Sequence, residues 1–202
     1  MLTLYTNPMS RGRIARWMLE ELAEPYETVI MTYGAEMNAP GYLALNPMGK
    51  VPTLVHAGHV VTEVAAICTY LAQVFPDRGL MAQDSAAFYR WLFFAAGPLE
   101  AAVVNASFGW KAPSLQDEGR LGYGSLDRVV RTLAGHLAEH DYIADGRFTA
   151  ADVCVGAQVG WGLRFGTLPA HDAFVAYWDR LKDRPAQRAA AAKDDALMPS
   201  KG

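Results

Sequence analysis

The spacing of apolar residues changes character once along this chain, near residue 76. Before that point, short β-prone runs alternate with helical patterns in the order β-α-β and then β-β-α, whereas every later apolar stripe has helical spacing. Residues 77–83 lie between the two parts and contain glycine and charged residues, which is typical of a linker. The sequence therefore predicts an α/β unit over residues 1–76 and an all-helical unit over residues 84–202.

The first part is expected to form one small mixed sheet with helices. Its predicted elements are, in order, a strand over residues 2–6, a helix over 10–22, a strand over 26–32, a hairpin with strands at 53–56 and 60–62, and a helix from Glu63 to Pro76. In the second part, Asp84 and Ser85 are candidate caps of a long helical stripe. Thr149 and Asp152 resemble a capping box that opens a helix apolar nearly all round.

Composition and charge exclude several classes of function. Hydrophobic residues make up 51% and charged residues 19% of the 202 residues, as in a folded globular chain. The net charge of −3 argues against non-specific nucleic-acid binding, and the apolar runs are too short for a membrane span. The N-terminus lacks the order of a secretory signal, and the two cysteines, Cys68 and Cys154, do not indicate a disulfide scaffold. We therefore expect a cytoplasmic protein.

No metal site is expected from the histidines. His136 and His140 stand at i and i+4, but no further ligand is evident, so an exposed helix face explains them better.

The start of the first helix is a candidate anion site. Ser10 follows a turn, at a point where unpaired backbone N–H groups and the positive end of the helix dipole attract anions. Ser10 can also act only as a helix cap, and this feature alone favours the cap. Arg11, Arg13 and Arg16 oppose the helix dipole and favour an anionic partner, although Arg13 and Arg16 can instead face solvent beside acids such as Glu20. Arg11, which is nearest the turn, is the stronger candidate.

Two further segments have the chemistry to bind a peptide-like molecule. Val51 precedes Pro52 and is therefore held extended, so its backbone can pair with an extended ligand. Without other evidence, a simple turn into a strand explains this segment better. Glu63 and Val64 begin another helix. The Glu63 carboxylate can meet a ligand ammonium while the Val64 N–H meets a ligand carboxylate, or Glu63 can merely favour the helix dipole.

Taken in order, these pieces resemble the cytosolic glutathione transferases, and in particular their bacterial, serine-type branch. The resemblance covers nearly the whole chain, with a thioredoxin-like domain first and an all-helical domain after it. The matching segments are Leu4-Tyr5, Asn7-Pro8-Met9-Ser10, Leu19-Glu20-Glu21, Pro25-Tyr26-Glu27, residues 42–54, residues 62–71 and Phe148-Thr149-Ala150-Ala151-Asp152.

The resemblance implies glutathione as the anionic partner. Ser10 would face the sulfur, with Thr6 and Asn7 as alternative donors on the same turn, while Tyr5 lies further back in the strand. Asn7 and Arg11 are expected among the glutathione-binding residues. No cysteine stands in this turn, which argues against the branches that form mixed disulfides there.

The other binding roles also follow from the resemblance. Pro52 would be the family's cis-proline, and the Val51 backbone would pair with the cysteinyl part of glutathione. Glu63 and Val64 would hold the γ-glutamyl end, and Lys50 would reach a glutathione carboxylate. The family usually has serine or threonine after the acid, so Val64 removes a hydroxyl donor, and we expect weak glutathione affinity.

The resemblance further implies a homodimer that conjugates the glutathione thiolate to small hydrophobic electrophiles, as in detoxification. Phe108 and Trp110, which follow a helix, are the candidate substrate-pocket residues. Two alternatives remain open. One is a non-catalytic glutathione-transferase-like binding or stress protein, and the other is a glutathione-dependent peroxidase, dehalogenase or isomerase on the same site.

Overall fold

The computed structural model describes residues 1–198. Residues 199–202, the end of the expected helical part, lie outside the described residues. Packing divides the chain into two units. One contains Met1–Arg78 and the segment that begins at Asp183, and the other contains Gly79–Lys182.

A four-stranded mixed sheet forms the centre of the first unit. The strands are β1 (Leu2–Thr6), β2 (Tyr26–Ile30), β3 (Thr53–His56) and β4 (His59–Thr62), in the spatial order β2-β1-β3-β4. β1 and β2 are parallel, and the other pairs are antiparallel. The four predicted strands are confirmed, although β2 ends at Ile30, two residues before its predicted end. The hairpin turns at Ala57 and Gly58, which both have positive φ.

Ten α-helices occur within residues 1–198. They are α1 (Gly12–Leu22), α2 (Pro40–Leu43), α3 (Val64–Val74), α4 (Ser85–Phe94), α5 (Glu100–Ser107), α6 (Leu115–Glu118), α7 (Leu126–Glu139), α8 (Ala150–Phe165), α9 (Asp172–Lys182) and α10 (Pro185–Asp195). The helix predicted to start at Ser10 therefore begins two residues later, after a turn. α1 packs on both α3 and α10, and fully buried Leu4, Met18, Leu54 and Leu71 lie in the core of this unit.

Helix α10 packs on α1. We expected residues 84–202 to form one helical unit, but α10 belongs with α1. Arg16 and Asp194 form a buried ion pair of 2.9 Å at this contact. Three further pairs flank it: Arg13–Asp195 at 2.6 Å, Glu20–Lys193 at 2.5 Å and Glu21–Arg184 at 2.8 Å. Each of these α1 side chains therefore meets an opposite charge on α10 or, for Glu21, on Arg184 just before it.

The second unit is helical, as predicted. The Asp84 side chain accepts hydrogen bonds from the backbone N–H groups of Ala86 and Ala87, so this predicted cap of α4 is confirmed. A π-helical turn, Ala95–Leu99, contains Pro98 and joins α4 to α5. The segment predicted as one helix is therefore interrupted by this wider π-helical turn, in which Pro98 has no backbone N–H to donate.

The capping box at the start of α8 is also confirmed. The buried Asp152 carboxylate accepts from the Thr149 N–H and hydroxyl, from the Ile143 N–H and from the Tyr177 hydroxyl. The expectation that His136 and His140 share an exposed helix face holds for His140 but was wrong for His136. His136 is half-buried, its ring lies 4.3 Å from that of Trp91, and its Nε2 bonds the Ile143 carbonyl, because α7 turns this side chain inward.

No helix within residues 1–198 has the length and apolar character needed to cross a bilayer.

Candidate functional site

Strand register brings three of the predicted binding segments to one end of the sheet. Tyr5, near the end of β1, pairs with Thr53 at the start of β3, and Thr53 pairs with Thr62 at the end of β4. The turn after β1, the Val51–Pro52 segment before β3 and the start of α3 after β4 therefore lie on adjacent strands. Neighbouring strands are about 4.8 Å apart, so the outer two of these segments are separated by about 10 Å.

The turn after β1 is closed by its own side chains. Asn7 Nδ2 donates to the Met31 carbonyl at 2.8 Å, and Asn7 Oδ1 accepts from the Met9 N–H at 2.8 Å. Ser10 Oγ donates to the Asn7 carbonyl at 2.7 Å and accepts from the Gly12 N–H at 2.9 Å. Ser10 thus acts as a cap for the first turn of α1, and in this rotamer its proton points to a protein carbonyl.

Thr6 lies directly beneath the start of α1. Its side chain is fully buried, and Thr6 Oγ1 has no hydrogen-bond partner among the described residues. A Cβ added at Gly12 would fall 1.9 Å from this oxygen, so only glycine allows the helix to approach the strand so closely. Because it is buried, Thr6 does not present a donor at the surface of the site, whereas Ser10 and Asn7 are partly exposed.

The Val51–Pro52 peptide bond is cis. The carbonyl just before it, on Lys50, accepts from the Tyr42 hydroxyl at 2.5 Å and from Asn46 Nδ2 at 2.7 Å. Val51 itself packs against a small cluster that contains Tyr42. The conformation of the segment is therefore held by buried side chains.

Tyr42 and Asn46 are positioning residues that sequence reasoning missed. Both side chains also contact Thr53 Oγ1, at 2.9 Å and 3.3 Å, and burial raises the pKa of Tyr42, so its hydroxyl stays neutral and keeps its proton. The signal available in the sequence was Asn46 before Pro47, since asparagine favours a turn that bonds its own backbone. Asn46 Oδ1 accepts from the Met48 N–H at 3.1 Å in such a turn.

The start of α3 is built differently. Glu63, which precedes the helix, has φ 65° and ψ 122°, in a region that non-glycine residues rarely occupy. Its side chain is exposed and makes no capping hydrogen bond within the described range. Val64 is the first helical residue, so its N–H has no partner inside the helix. An exposed carboxylate and a helix start thus lie side by side, as predicted.

The predicted cations separate into two groups. Arg11 and Lys50 are exposed beside the turn and the cis-proline segment. Arg13 and Arg16 are more buried and are bonded to Asp195 and Asp194. The anionic partners of these two arginines are therefore carboxylates of the last helix, and neither a solvated face nor a local acid such as Glu20 explains them.

The two candidate pocket residues lie in the second unit. Phe108 is 82% exposed and Trp110 is 44% exposed, directly after α5. The Trp110 N–H donates to the Asn105 carbonyl at 3.0 Å, and Asn105 Nδ2 donates to the Tyr123 hydroxyl at 2.9 Å. These exposed aromatic rings therefore stand on a segment whose backbone is anchored to α5.

Comparison with known proteins agrees with this architecture. Residues 1–73 match the family described as Glutathione S-transferase, N-terminal domain. The chain is 30% identical over 187 residues to Glutathione S-transferase GST-4.5 of Xanthomonas campestris pv. campestris, which covers 86% of this chain and 90% of that protein.

Two solved structures are similar over almost the full length. A glutathione S-transferase from Xylella fastidiosa has a TM-score of 0.79 and 26% identity, and covers 96% of this chain and 99% of its own. A sphingomonad glutathione S-transferase, solved in complex with glutathione, has a TM-score of 0.74 and 26% identity, and covers 96% and 98%. The expected thioredoxin-like domain followed by a helical domain is thus confirmed. The chain belongs to the glutathione S-transferase family.

Proposed function

We propose that this protein is a glutathione transferase that joins the thiolate of glutathione to small hydrophobic electrophiles. The convergence of two helix starts and the cis Val51–Pro52 segment at one end of the sheet is the observation that supports it most strongly. Glutathione carries two carboxylates, one ammonium and a peptide backbone, and these three segments offer a complementary group for each.

The proposed contacts follow from this arrangement. The Glu63 carboxylate meets the γ-glutamyl ammonium, and the Val64 N–H meets the γ-glutamyl carboxylate at the positive end of α3. The Val51 backbone pairs with the cysteinyl part, as an added strand would. Lys50 and Arg11 are exposed cations suited to the remaining negative charge.

The thiol lies at the start of α1 in this proposal. An unperturbed thiol has a pKa of about 8.5, and only the thiolate is the nucleophile. Hydrogen-bond donors and the helix dipole stabilise the thiolate over the thiol, which lowers the thiol pKa. We assign the donor to Ser10, whose proton must turn from the Asn7 carbonyl to the sulfur, with Asn7 Nδ2 as the alternative.

The chemical step then needs no further base. The thiol proton leaves to water, the sulfur electron pair forms a bond to the electrophilic carbon, and the leaving group departs with the electrons of the broken bond. The aromatic side chains of Phe108 and Trp110 are the proposed apolar contacts for the electrophile. The proposal also includes a homodimer in the cytoplasm that acts in detoxification.

A non-catalytic role has specific support as the second candidate. Val64 offers no hydroxyl to the γ-glutamyl carboxylate, and the Ser10 hydroxyl is already bonded within its own turn. Both features reduce the interactions left for glutathione. A binding or stress protein that keeps the fold without turnover is consistent with them.

Calorimetric titration with glutathione, followed by turnover assays with an aryl halide and with a hydroperoxide, separates these functions. Binding with aryl halide turnover is expected. Binding without turnover on either substrate would favour the non-catalytic role, and hydroperoxide turnover alone would favour a peroxidase. No binding at millimolar glutathione would contradict all three.

A further inference from the structure

Arg13 connects the candidate thiol site to the last helix. Its Nε donates to the Pro8 carbonyl in the turn after β1 at 2.5 Å, and its Nη2 contacts Asp195 Oδ1 of α10 at 2.6 Å. The Arg13 side chain is only 19% exposed, whereas that of Asp195 is 60% exposed. One guanidinium therefore bonds the turn on one side and a surface carboxylate on the other.

The carbonyl groups of this turn are all occupied by donors. The Asn7 carbonyl accepts from Ser10, the Pro8 carbonyl from Arg13 and the Met9 carbonyl from the Tyr33 hydroxyl at 3.2 Å. Each of these donors offsets part of the negative potential of its carbonyl oxygen, which would otherwise repel an anion at this turn. Arg13 also adds a full positive charge within the first turn of α1, so it affects both the shape of the turn and its potential.

Asp195 determines how Arg13 can act. An arginine at a helix start has several rotamers, and the carboxylate on α10 holds the one in which Nε faces the Pro8 carbonyl. The neighbouring pair, Lys193 with Glu20, joins the same two helices but has no bond to the turn among the described contacts. The two pairs therefore differ in their connection to the site.

We propose that Arg13 and Asp195 are a positioning pair, through which α10 sets the conformation and the potential of the turn that activates the glutathione thiol. This inference rests on the proposed function for its effect on the thiol. Its effect on the turn is independent of any ligand. Asp195 is 182 residues from Arg13 in sequence, so α10 acts on a turn that is distant from it along the chain.

Two substitutions of Asp195, the exposed member of the pair, separate its effect on the position of Arg13 from the effect of its charge. Asp195→Ala removes the acceptor, whereas Asp195→Asn keeps an acceptor oxygen and removes the negative charge. Lys193→Gln is the matched control, because it breaks an exposed ion pair between the same helices. Thermal unfolding of each variant verifies that it folds.

The first measurement is amide hydrogen exchange without ligand. Asp195→Ala is expected to raise exchange at Met9, Ser10 and Gly12 by about tenfold, since their N–H groups bond within the turn and local opening exposes them. Asp195→Asn and Lys193→Gln are expected to leave this exchange unchanged. Equal exchange in Asp195→Ala and the wild type, or an equal rise in Lys193→Gln, would overturn the inference.

The second measurement is the affinity for glutathione and the pKa of its bound thiol, followed by thiolate absorbance. Asp195→Ala is expected to weaken binding about fivefold and to raise the thiol pKa, as loss of a positioning hydrogen bond predicts. Asp195→Asn is expected to keep the affinity and to lower the thiol pKa, because the positive charge of Arg13 is no longer balanced. If Asp195 had a purely structural role, Asp195→Ala and Asp195→Asn would not shift the thiol pKa in opposite directions.

The two proposals fail in different ways. If the wild type binds no glutathione, the proposed function fails, while hydrogen exchange still decides whether the pair holds the turn. If the wild type binds glutathione and the three variants match it in exchange, affinity and thiol pKa, the positioning role is overturned and the proposed function stands.

Discussion

The two helices that start at the candidate site start in opposite ways. Before α1, the side chains of Asn7 and Ser10 bond the backbone of their own turn. Before α3, Glu63 adopts a positive φ, and its exposed side chain makes no capping bond within residues 1–198. The start of α1 is therefore capped by side chains of its own turn, whereas the first N–H groups of α3 are left without a side-chain cap and can bond a ligand.

This difference assigns different tasks to the two helices. A helix start without a side-chain cap is less stable by about 1 kcal/mol, and a strained residue adds about 1–3 kcal/mol. Such costs persist at functional sites, where a ligand can supply the missing bonds. The start of α3 is therefore suited to hold the charged end of a ligand, and the rigid start of α1 is suited to orient a reacting atom.

Gly12→Ala is the substitution expected to damage the rigid start most. The new Cβ would lie 1.9 Å from buried Thr6 Oγ1, so strand or helix must shift. Overpacking costs about 1–3 kcal/mol, and we expect the upper end in the free energy of unfolding measured by urea titration. Gly135→Ala is the control, since open space surrounds that helical position and alanine there is expected to stabilise. Equal stability of Gly12→Ala and the wild type would show that the contact relaxes.

Two variants of Glu63 test the strained backbone at the start of α3. Glu63→Gly relieves the positive φ and is expected to raise the free energy of unfolding by about 1 kcal/mol. Glu63→Ala keeps the strain and should not stabilise. Both remove the carboxylate, so both are expected to weaken glutathione binding by about 1.5–3 kcal/mol in calorimetry. If neither variant changes the affinity, the ammonium of glutathione is bound elsewhere.

Ser10→Ala tests the sulfur donor at the rigid start. The loss of a cap is expected to cost about 1 kcal/mol of stability. The loss of a donor to the thiolate is expected to raise the thiol pKa by about one unit and to lower turnover at neutral pH, with little change in glutathione binding. Ser10→Thr keeps the hydroxyl and is the control. Full turnover in Ser10→Ala would show that Ser10 is not the donor to the thiolate and would favour Asn7 instead.

Val64→Ser is expected to have the smallest effect. It adds a hydroxyl at the start of α3, where the family usually has serine or threonine. A hydrogen bond to a charged group contributes about 1.5–3 kcal/mol before the loss of side-chain freedom, so we expect glutathione to bind about tenfold more tightly. Val64→Ala removes the same bulk without a hydroxyl and should not tighten binding. Unchanged or weaker binding by Val64→Ser would refute weak affinity as a consequence of Val64.

The features predicted correctly from the sequence are those with local signals. The strands, the Asp84 cap and the Thr149–Asp152 capping box each depend on residues a few positions apart. The arginines of α1 show what such signals miss. Their charge was evident, but their partners on α10 stand 178 and 182 positions away, at a separation that no spacing rule covers.

The direction of the side chains at the site also could not be predicted from the sequence. The sequence identified Ser10 as both a cap and a donor, and the direction of its hydroxyl depends on where the Asn7 carbonyl lies. The buried bonds from Tyr42 and Asn46 to the Lys50 carbonyl likewise depend on a loop path that no periodicity describes.

The buried Arg16–Asp194 pair links the order of synthesis to the order of folding. The α/β unit contains a guanidinium whose counter-charge is synthesised 178 residues after it. Until then Arg16 must stay hydrated or be buried alone, and removing one member of a buried pair costs about 3–5 kcal/mol. Truncation before α10 would therefore destabilise the unit that contains Met1–Arg78, because Arg16 would lose its buried partner.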